Sequence, residues 1–370
     1  MAAMKLQVLQ ENLNKAIGIA SRFTSNRAQL PILGNILLSA NKSKLTVSST
    51  NLEISVSTSM GAKIEKEGEI GVPSRVFTEL ISNLPQETLT LEAEKEQLKI
   101  STPSFSSNVL GMNTSDFPKI PSRVAKEKGI VFPKEDFSKA LSKVLFASSI
   151  DETRPILTGV LLILEKGSLT LVATDGFRLS FNKINIQGIK EGIRMVLPKN
   201  VLSEVGRVDE GEEIVLELQE KEKQVVFGMG DTFLSSRLLE GEFPDFEKII
   251  PKTSVYKISV DKEDLLRAVK LSAPFARDNA NIVKIKTLKD SIKLFAESSQ
   301  AGNQETKVEA KVEPGEFEIA FNYRFLEDFL NSASGEEIKM EFSDIDKPGV
   351  FLDPTTPDYL HLIMPVKIQG

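Results

Sequence analysis

One short segment recurs three times along this chain. It reads Met4-Lys-Leu-Gln-Val-Leu-Gln-Glu-Asn-Leu-Asn-Lys-Ala16, then Ile130-Val-Phe-Pro-Lys-Glu-Asp-Phe-Ser-Lys-Ala140, then Tyr256-Lys-Ile-Ser-Val-Asp-Lys-Glu-Asp-Leu-Leu-Arg-Ala268. Each copy is a short apolar strand, an acidic or amide turn, and an amphipathic helix. The closing alanines are 124 and 128 residues apart. That period is a whole domain, far longer than a solenoid unit of roughly 20–50 residues. Three tandem copies of one domain point to an arc or a ring.

Each copy repeats its plan internally. Ile70-Gly-Val-Pro73 runs into a helix, and so do Met195-Val-Leu-Pro198 and Ile319-Ala-Phe321. Proline suits a strand-to-helix junction, where its missing N–H costs little. Between the helices lie alternating strands such as Leu45–Thr50, Leu169–Thr174 and Ile292–Glu297. The fold class is α+β, with helices on one face of a mostly antiparallel sheet. Domain boundaries are expected at 1–127, 128–252 and 253–370.

Composition excludes several chemistries. The chain has 370 residues, no cysteine, no tryptophan and one histidine, His361. Disulfides, thiolate metal sites and cysteine nucleophiles are therefore absent, and histidine-based metal or acid–base chemistry has little to draw on. No catalytic residue, metal or cofactor is assigned. Gly228-Met-Gly230 lacks the lysine and helix context of a phosphate cradle and reads as a strand turn. The early residues Glu11 and Asn12 break any apolar run, so neither a signal peptide nor a membrane span is expected, and the location expected is cytoplasmic.

The net charge of −6 argues against nucleic acid, but placement matters more than the sum. Acids crowd the first helical turns (Glu11, Glu135, Asp136, Glu263, Asp264), where the helix dipole favours them. Opposite the apolar stripes, the helix bodies carry Lys15, Arg22, Lys139, Lys143, Arg267 and Lys270. Two readings stay open on this pattern: solvated faces, or a basic lining with an acidic exterior.

Four strings are more specific. They are Leu30-Pro31-Ile32-Leu33-Gly34-Asn35-Ile36-Leu37-Leu38; Arg154-Pro-Ile-Leu157-Thr-Gly159 with Ala173-Thr174-Asp175-Gly176-Phe177-Arg178-Leu179; Glu240-Gly-Glu-Phe-Pro244-Asp-Phe246; and Leu362-Ile-Met-Pro-Val-Lys-Ile368. In this order, over essentially the whole chain, they resemble the bacterial sliding clamp, the β subunit of DNA polymerase III. The resemblance implies three sliding-clamp domains per chain and a head-to-tail homodimer. It further implies a ring around duplex DNA, with helices lining the hole and sheets outside. Such a ring raises polymerase processivity without catalysis and binds DNA through the backbone, indifferent to sequence.

The same resemblance implies a peptide pocket between the second and third domains, serving replicative polymerase, clamp loader and repair proteins. Its residues here would be Arg154, Leu157, Thr174, Gly176, Phe177, Arg178, Leu179, Pro244, Lys248, Ile249, Asn322, Phe325, Val350, Leu362, Ile363, Met364, Pro365 and Val366. An apolar cleft with a few fixed polar groups suits leucine and phenylalanine anchors. The plainer reading of Thr174-Asp175-Gly176 is a turn between strands. Phe177 stands where many clamps have histidine, Lys248 and Lys367 stand where arginine is common, and Gln369 and Gly370 run past the usual end. For DNA the resemblance points to Arg27, with Lys15, Arg22, Lys139, Lys143, Lys199, Arg207, Arg267 and Lys270 as helix-borne candidates. For ring closure it points to Phe105 and Phe275, apolar residues expected at the surface; ordinary core is the other reading of both. Two rival functions remain: a peptide-binding scaffold that forms no ring, and an enzyme using carboxylates such as Asp175.

Overall fold

The computed structural model describes residues 4–25, 30–125, 127, 129–187, 192–313 and 315–367. Six α-helices occur among them: α1 Gln10–Ala20, α2 Ser74–Asn83, α3 Lys134–Ser142, α4 Lys199–Arg207, α5 Lys262–Ala276 and α6 Tyr323–Ser332. Each follows directly on a strand. Pro73, Pro133 and Pro198 are the last strand residues before α2, α3 and α4. Asp261 and Asn322 cap α5 and α6, their side chains accepting from Asp264 N at 2.9 Å and Arg324 N at 3.0 Å. The predicted stripes are buried: Leu13, Ala16, Ile17 and Ala20 in α1; Phe137, Ala140 and Leu141 in α3; Leu265, Leu266 and Val269 in α5. α5 continues through Pro274, which forgoes one intrahelical bond near the helix end.

The strands are antiparallel throughout and form three sheets. The first has five strands, in the order Lys63–Lys66, Met4–Leu9, Thr88–Glu94, Gln97–Ser101, Ser106–Leu110. The second has eight: Ile130–Pro133, Glu213–Gln219, Gln224–Met229, Thr232–Arg237, Ile54–Gly61, Lys44–Thr50, Asn35–Asn41, Gly68–Pro73. The third has twelve and runs from Ile193–Pro198 through Gly159–Glu165, Ser168–Thr174, Arg178–Asn185, Tyr359–Ile363, Gly349–Leu352, Glu337–Phe342 and Tyr256–Asp261. It ends with Gly302–Glu313, Ser291–Ser298, Ile282–Thr287 and Glu318–Asn322.

The larger sheets are each spliced from two copies of the repeat. In the second sheet Thr232–Ser236 pairs with Ile54–Thr58. In the third, Tyr359–Ile363 pairs with Arg178–Asn182. We call these the first and second seams. The chain accordingly separates into two compact units that cut across the middle copy: 1–135 with 207–238, and 136–206 with 239–370. Each unit contains one seam whole. In the second unit an aromatic core of Phe321, Phe329, Phe342, Phe351 and Tyr359 supports its seam from below. No helix of the described residues is long and apolar enough to cross a membrane.

Candidate functional site

The second seam begins at a tight turn that the sequence dictates atom by atom. Asp175 Oδ1 accepts from Phe177 N (2.9 Å) and Arg178 N (3.0 Å). Thr174 Oγ1 donates to Arg178 O (2.6 Å) and accepts from Gly176 N (3.1 Å). Gly176 has φ +93°, a conformation glycine adopts without strain, and a Cβ there would lie 3.1 Å from an Arg154 guanidinium nitrogen. The turn leaves Phe177 61% exposed, with no core to fill.

Arg178, next in line, is locked in place. Its Nε donates to Asp175 Oδ2 at 3.0 Å, one terminal nitrogen donates to Asp328 Oδ2 at 2.5 Å, and the other donates to Phe146 O at 2.7 Å. The guanidinium lies over the Phe325 ring, 4.4 Å from its centroid. The planar fork thus ties α6 to the start of the seam and is consumed in doing so. Asp175 is consumed as well, so the carboxylate of the enzyme reading is the linchpin of a turn. Lys199 is half-buried nearby; burial pushes its ammonium below the usual lysine range, and Arg178 adds to that.

Beneath the turn lies an apolar floor of Leu161, Leu179, Val196, Phe246 and Leu362, all buried. Ile156, Phe243 and Val350 form a half-buried lip, and Leu157 is buried. The chain end then crosses the site. Met364 N donates to Phe177 O (2.8 Å) and Val366 N to Ala320 O (2.8 Å), fixing Pro365 between them. Phe177, Ile249 and Met364 are exposed apolar side chains on elements that meet this floor.

Family models for the DNA polymerase III beta subunit match the chain in three consecutive blocks. The N-terminal domain matches residues 4–121, the central domain 131–245 and the C-terminal domain 247–367. The chain belongs to the DNA polymerase III beta subunit family. The beta sliding clamp of Synechococcus elongatus is 28% identical over 377 residues, covering 99% of this chain and all (100%) of that one. The crystal structure of the Thermotoga maritima beta subunit superimposes with a TM-score of 0.91 at 29% identity, covering 99% and 100% of the two chains. That of the Bacillus subtilis sliding clamp gives 0.93 at 26%, with the same coverage. The function that goes with membership is that of a DNA polymerase processivity clamp.

The residues that the sliding-clamp resemblance singled out are not all placed as expected. Thr174, Gly176, Phe177, Arg178, Leu179, Val350, Phe325 and Leu362 to Val366 converge as described. Asn322 is committed to capping α6. Pro244 is half-buried beside Phe243, while Lys248 is exposed and pairs with Asp245 at 2.7 Å, which holds its ammonium above the usual range. Phe146, Asp328, Ile156 and Phe243 were not anticipated. They enter through tertiary contacts at 32 to 150 residues' separation for the Arg178 bonds, which no local pattern encodes.

Among the basic candidates, Lys143 requires correction. It lies one residue beyond α3, where the chain no longer keeps the helical face, and is 9% exposed. Its ammonium donates to Thr356 Oγ1 at 2.9 Å and sits over the Tyr359 ring, so it is withdrawn from any DNA-facing set. Lys15 is exposed and reaches Asp209 O at 3.3 Å; Arg267 pairs with Asp264 at 2.8 Å. Arg22, Lys139, Arg207 and Lys270 are exposed on or beside helices. Arg27 lies outside the described residues, as do Gln369 and Gly370. Phe105 and Phe275 are both half-buried rather than exposed, and Phe275 packs on the core of its own unit. The exposed apolar residue on the end of α5 is Leu271, one turn earlier, at 50%.

Proposed function

We propose that two copies of this chain close head to tail into a ring around duplex DNA, and that partner proteins dock peptides beside Phe177. Support for closure comes from the register of the two seams. Val56 faces Leu234 in the first, and Ser180 faces His361 in the second. Ladder by ladder, Gln304 is the third-copy equivalent of Val56 and Ser180, and Ser107 the first-copy equivalent of Leu234 and His361. Ser106–Leu110 is the edge of its sheet, and residues 302–306 pair only with Ser291–Ser298 among the described residues. Open edges of this kind invite pairing. The third seam is completed between copies, with Phe105–Val109 of one opposite Gly302–Thr306 of the other.

The ring so formed carries the exposed cations of α1, α3, α4 and α5 (Lys15, Lys139, Arg207, Arg267, Lys270) and Arg22 toward DNA. Retention is topological, so contacts need be neither strong nor sequence-specific. The site at the second seam receives apolar anchors of replicative polymerase, clamp loader and repair proteins. The chain lacks cysteine, which makes a direct test clean. A Ser107→Cys, Gln304→Cys double variant, mildly oxidised, is expected to run as a covalent dimer, with each single variant remaining monomeric under denaturation. A double variant that stays monomeric while the native mass is dimeric contradicts this register.

A further inference from the structure

The turn of the second seam has a twin at the first. Thr50, Asn51, Leu52, Glu53 and Ile54 take the places of Thr174, Asp175, Gly176, Phe177 and Arg178. All four hydrogen bonds recur. Thr50 Oγ1 donates to Ile54 O (3.1 Å) and accepts from Leu52 N (3.0 Å). Asn51 Oδ1 accepts from Glu53 N (3.1 Å) and Ile54 N (2.8 Å).

One difference stands out in energetic terms. Where the second turn has glycine, the first has Leu52 at φ +75°. The other non-glycine residues with positive φ among those described are Lys42, Lys95, Lys223, Ala280 and Asn281, none of them a large apolar side chain. A leucine in that region is strained. The strain does not bury it: Leu52 is 48% exposed. Strained residues held in place without a packing return cluster at binding sites.

Leu52 stands on the rim of a groove of about 1090 Å³. The opposite wall is the segment from Pro118 to Ala125, and Arg237 rises from the first-seam strand. Lys119, Arg123 and Arg237 are exposed there and have no ion-pair partner among the described residues. Glu217 and Glu127 are the opposing charges, and the Glu217 carboxylate already accepts from Ala125 N at 2.7 Å. The lining is thus net cationic on a chain whose overall charge is −6. A net cationic concavity of this size, with apolar lining from Leu52, Ile120 and Val124, fits a short segment that carries both carboxylates and apolar side chains better than a purely apolar one.

We infer that this groove is a second docking site, which takes an extended peptide of a partner protein that sets carboxylates against Arg123 and Arg237 and an apolar side chain against Leu52. It selects differently from the second seam, where Arg178 is consumed by Asp175, Asp328 and the Phe146 carbonyl. The two sites therefore hold different peptides at once.

The experiment uses the full-length protein and two fluorescein-labelled octapeptides, one alternating leucine with aspartate and one alternating leucine with lysine, read by anisotropy. Saturable binding of the aspartate peptide is expected, with the lysine peptide at least tenfold weaker. Joint Arg123→Ser and Arg237→Ser substitution should weaken the aspartate peptide at least tenfold, and Leu52→Gly should weaken it severalfold. Leu52→Gly relieves the strained φ, so its melting temperature is expected not to fall, and its loss of binding is then not a loss of fold. Phe177→Ala should leave this binding unchanged. The inference is overturned if the aspartate peptide does not saturate, if the arginine variant binds it as the parent does, or if Phe177→Ala abolishes it.

Discussion

Arg178 and His361 carry more of the second seam than their exposure would indicate. Arg178 has three hydrogen-bond partners and a ring beneath it, with its side chain 10% exposed. Replacing it by alanine leaves Asp175 and Asp328 without their cation and the Phe146 carbonyl without its donor. We expect a loss of about 2–3 kcal/mol, Asp328 being partly solvated, and lysine should not restore it because it lacks the fork. A thermal melt of Arg178→Ala and Arg178→Lys beside the parent checks both expectations.

His361 is fully buried between Phe146 and Phe329, its Nδ1 2.6 Å from Ser180 Oγ. Burial, and secondarily the Arg178 charge, hold its basicity well below the ordinary value of 6.5. The folded protein therefore refuses a proton that the unfolded chain accepts below pH 6.5. Stability from this group is complete above that pH and falls as pH drops below it, by up to about 1.4 kcal/mol per pH unit. His361→Gln should flatten the slope of melting temperature between about pH 6.5 and 5. An unchanged slope would assign the acid sensitivity elsewhere. A single histidine in the sequence pointed away from acid–base chemistry, but nothing local to it indicated complete burial.

At the scale of elements, the helices and their buried faces were legible because a 3.6-residue period is written locally. The strand-turn-strand of Thr174 to Arg178 was legible for a similar reason, since aspartate and glycine at that spacing have few other uses. The seams were not. Thr232–Ser236 finds Ile54–Thr58, and Tyr359–Ile363 finds Arg178–Asn182, across more than 170 residues. An alternating strand shows which face is buried but not which distant strand lies beside it. Lys143 was misread because a helical face was extended one residue past the end of α3. Phe275 is half-buried against the core of its own unit, so its exposure lies between the two readings the sequence left open.

The seam also divides the chain end by role. Leu362 and Ile363 are core strand residues, 2% and 0% exposed, whereas Met364 to Lys367 cross the surface beyond it. Ending the chain after Ile363 should leave the melting temperature near that of the parent and weaken an apolar clamp-binding peptide at least tenfold. Ending it after His361 removes two buried side chains worth about 1.5–3 kcal/mol each, and the melt should drop visibly. Equal peptide binding by the shorter-tailed protein and the parent would remove Met364 to Val366 from the site.

At the scale of the whole molecule, the threefold repeat is symmetric in its seams and asymmetric in what the seam turns present. Two turns share one hydrogen-bond pattern, yet one exposes Phe177 over an apolar floor and the other Leu52 over a cationic groove. The third pair of strand edges is left open. A chain of 40.8 kDa with two such edges is expected to run in solution at twice that mass, and light scattering at micromolar concentration reads this directly. Net charge gave little guidance at this scale, because a ring that slides needs only modest attraction to phosphates.

The central claim is that DNA is held by encirclement. The measurement that tests it loads the protein onto a nicked circular duplex with a clamp loader and follows the protein that remains after gel filtration, before and after the circle is cut once by a restriction enzyme. The account predicts stable retention on the circle and rapid loss from the linear form, by sliding off the ends. Equal retention on circular and linear DNA would contradict it.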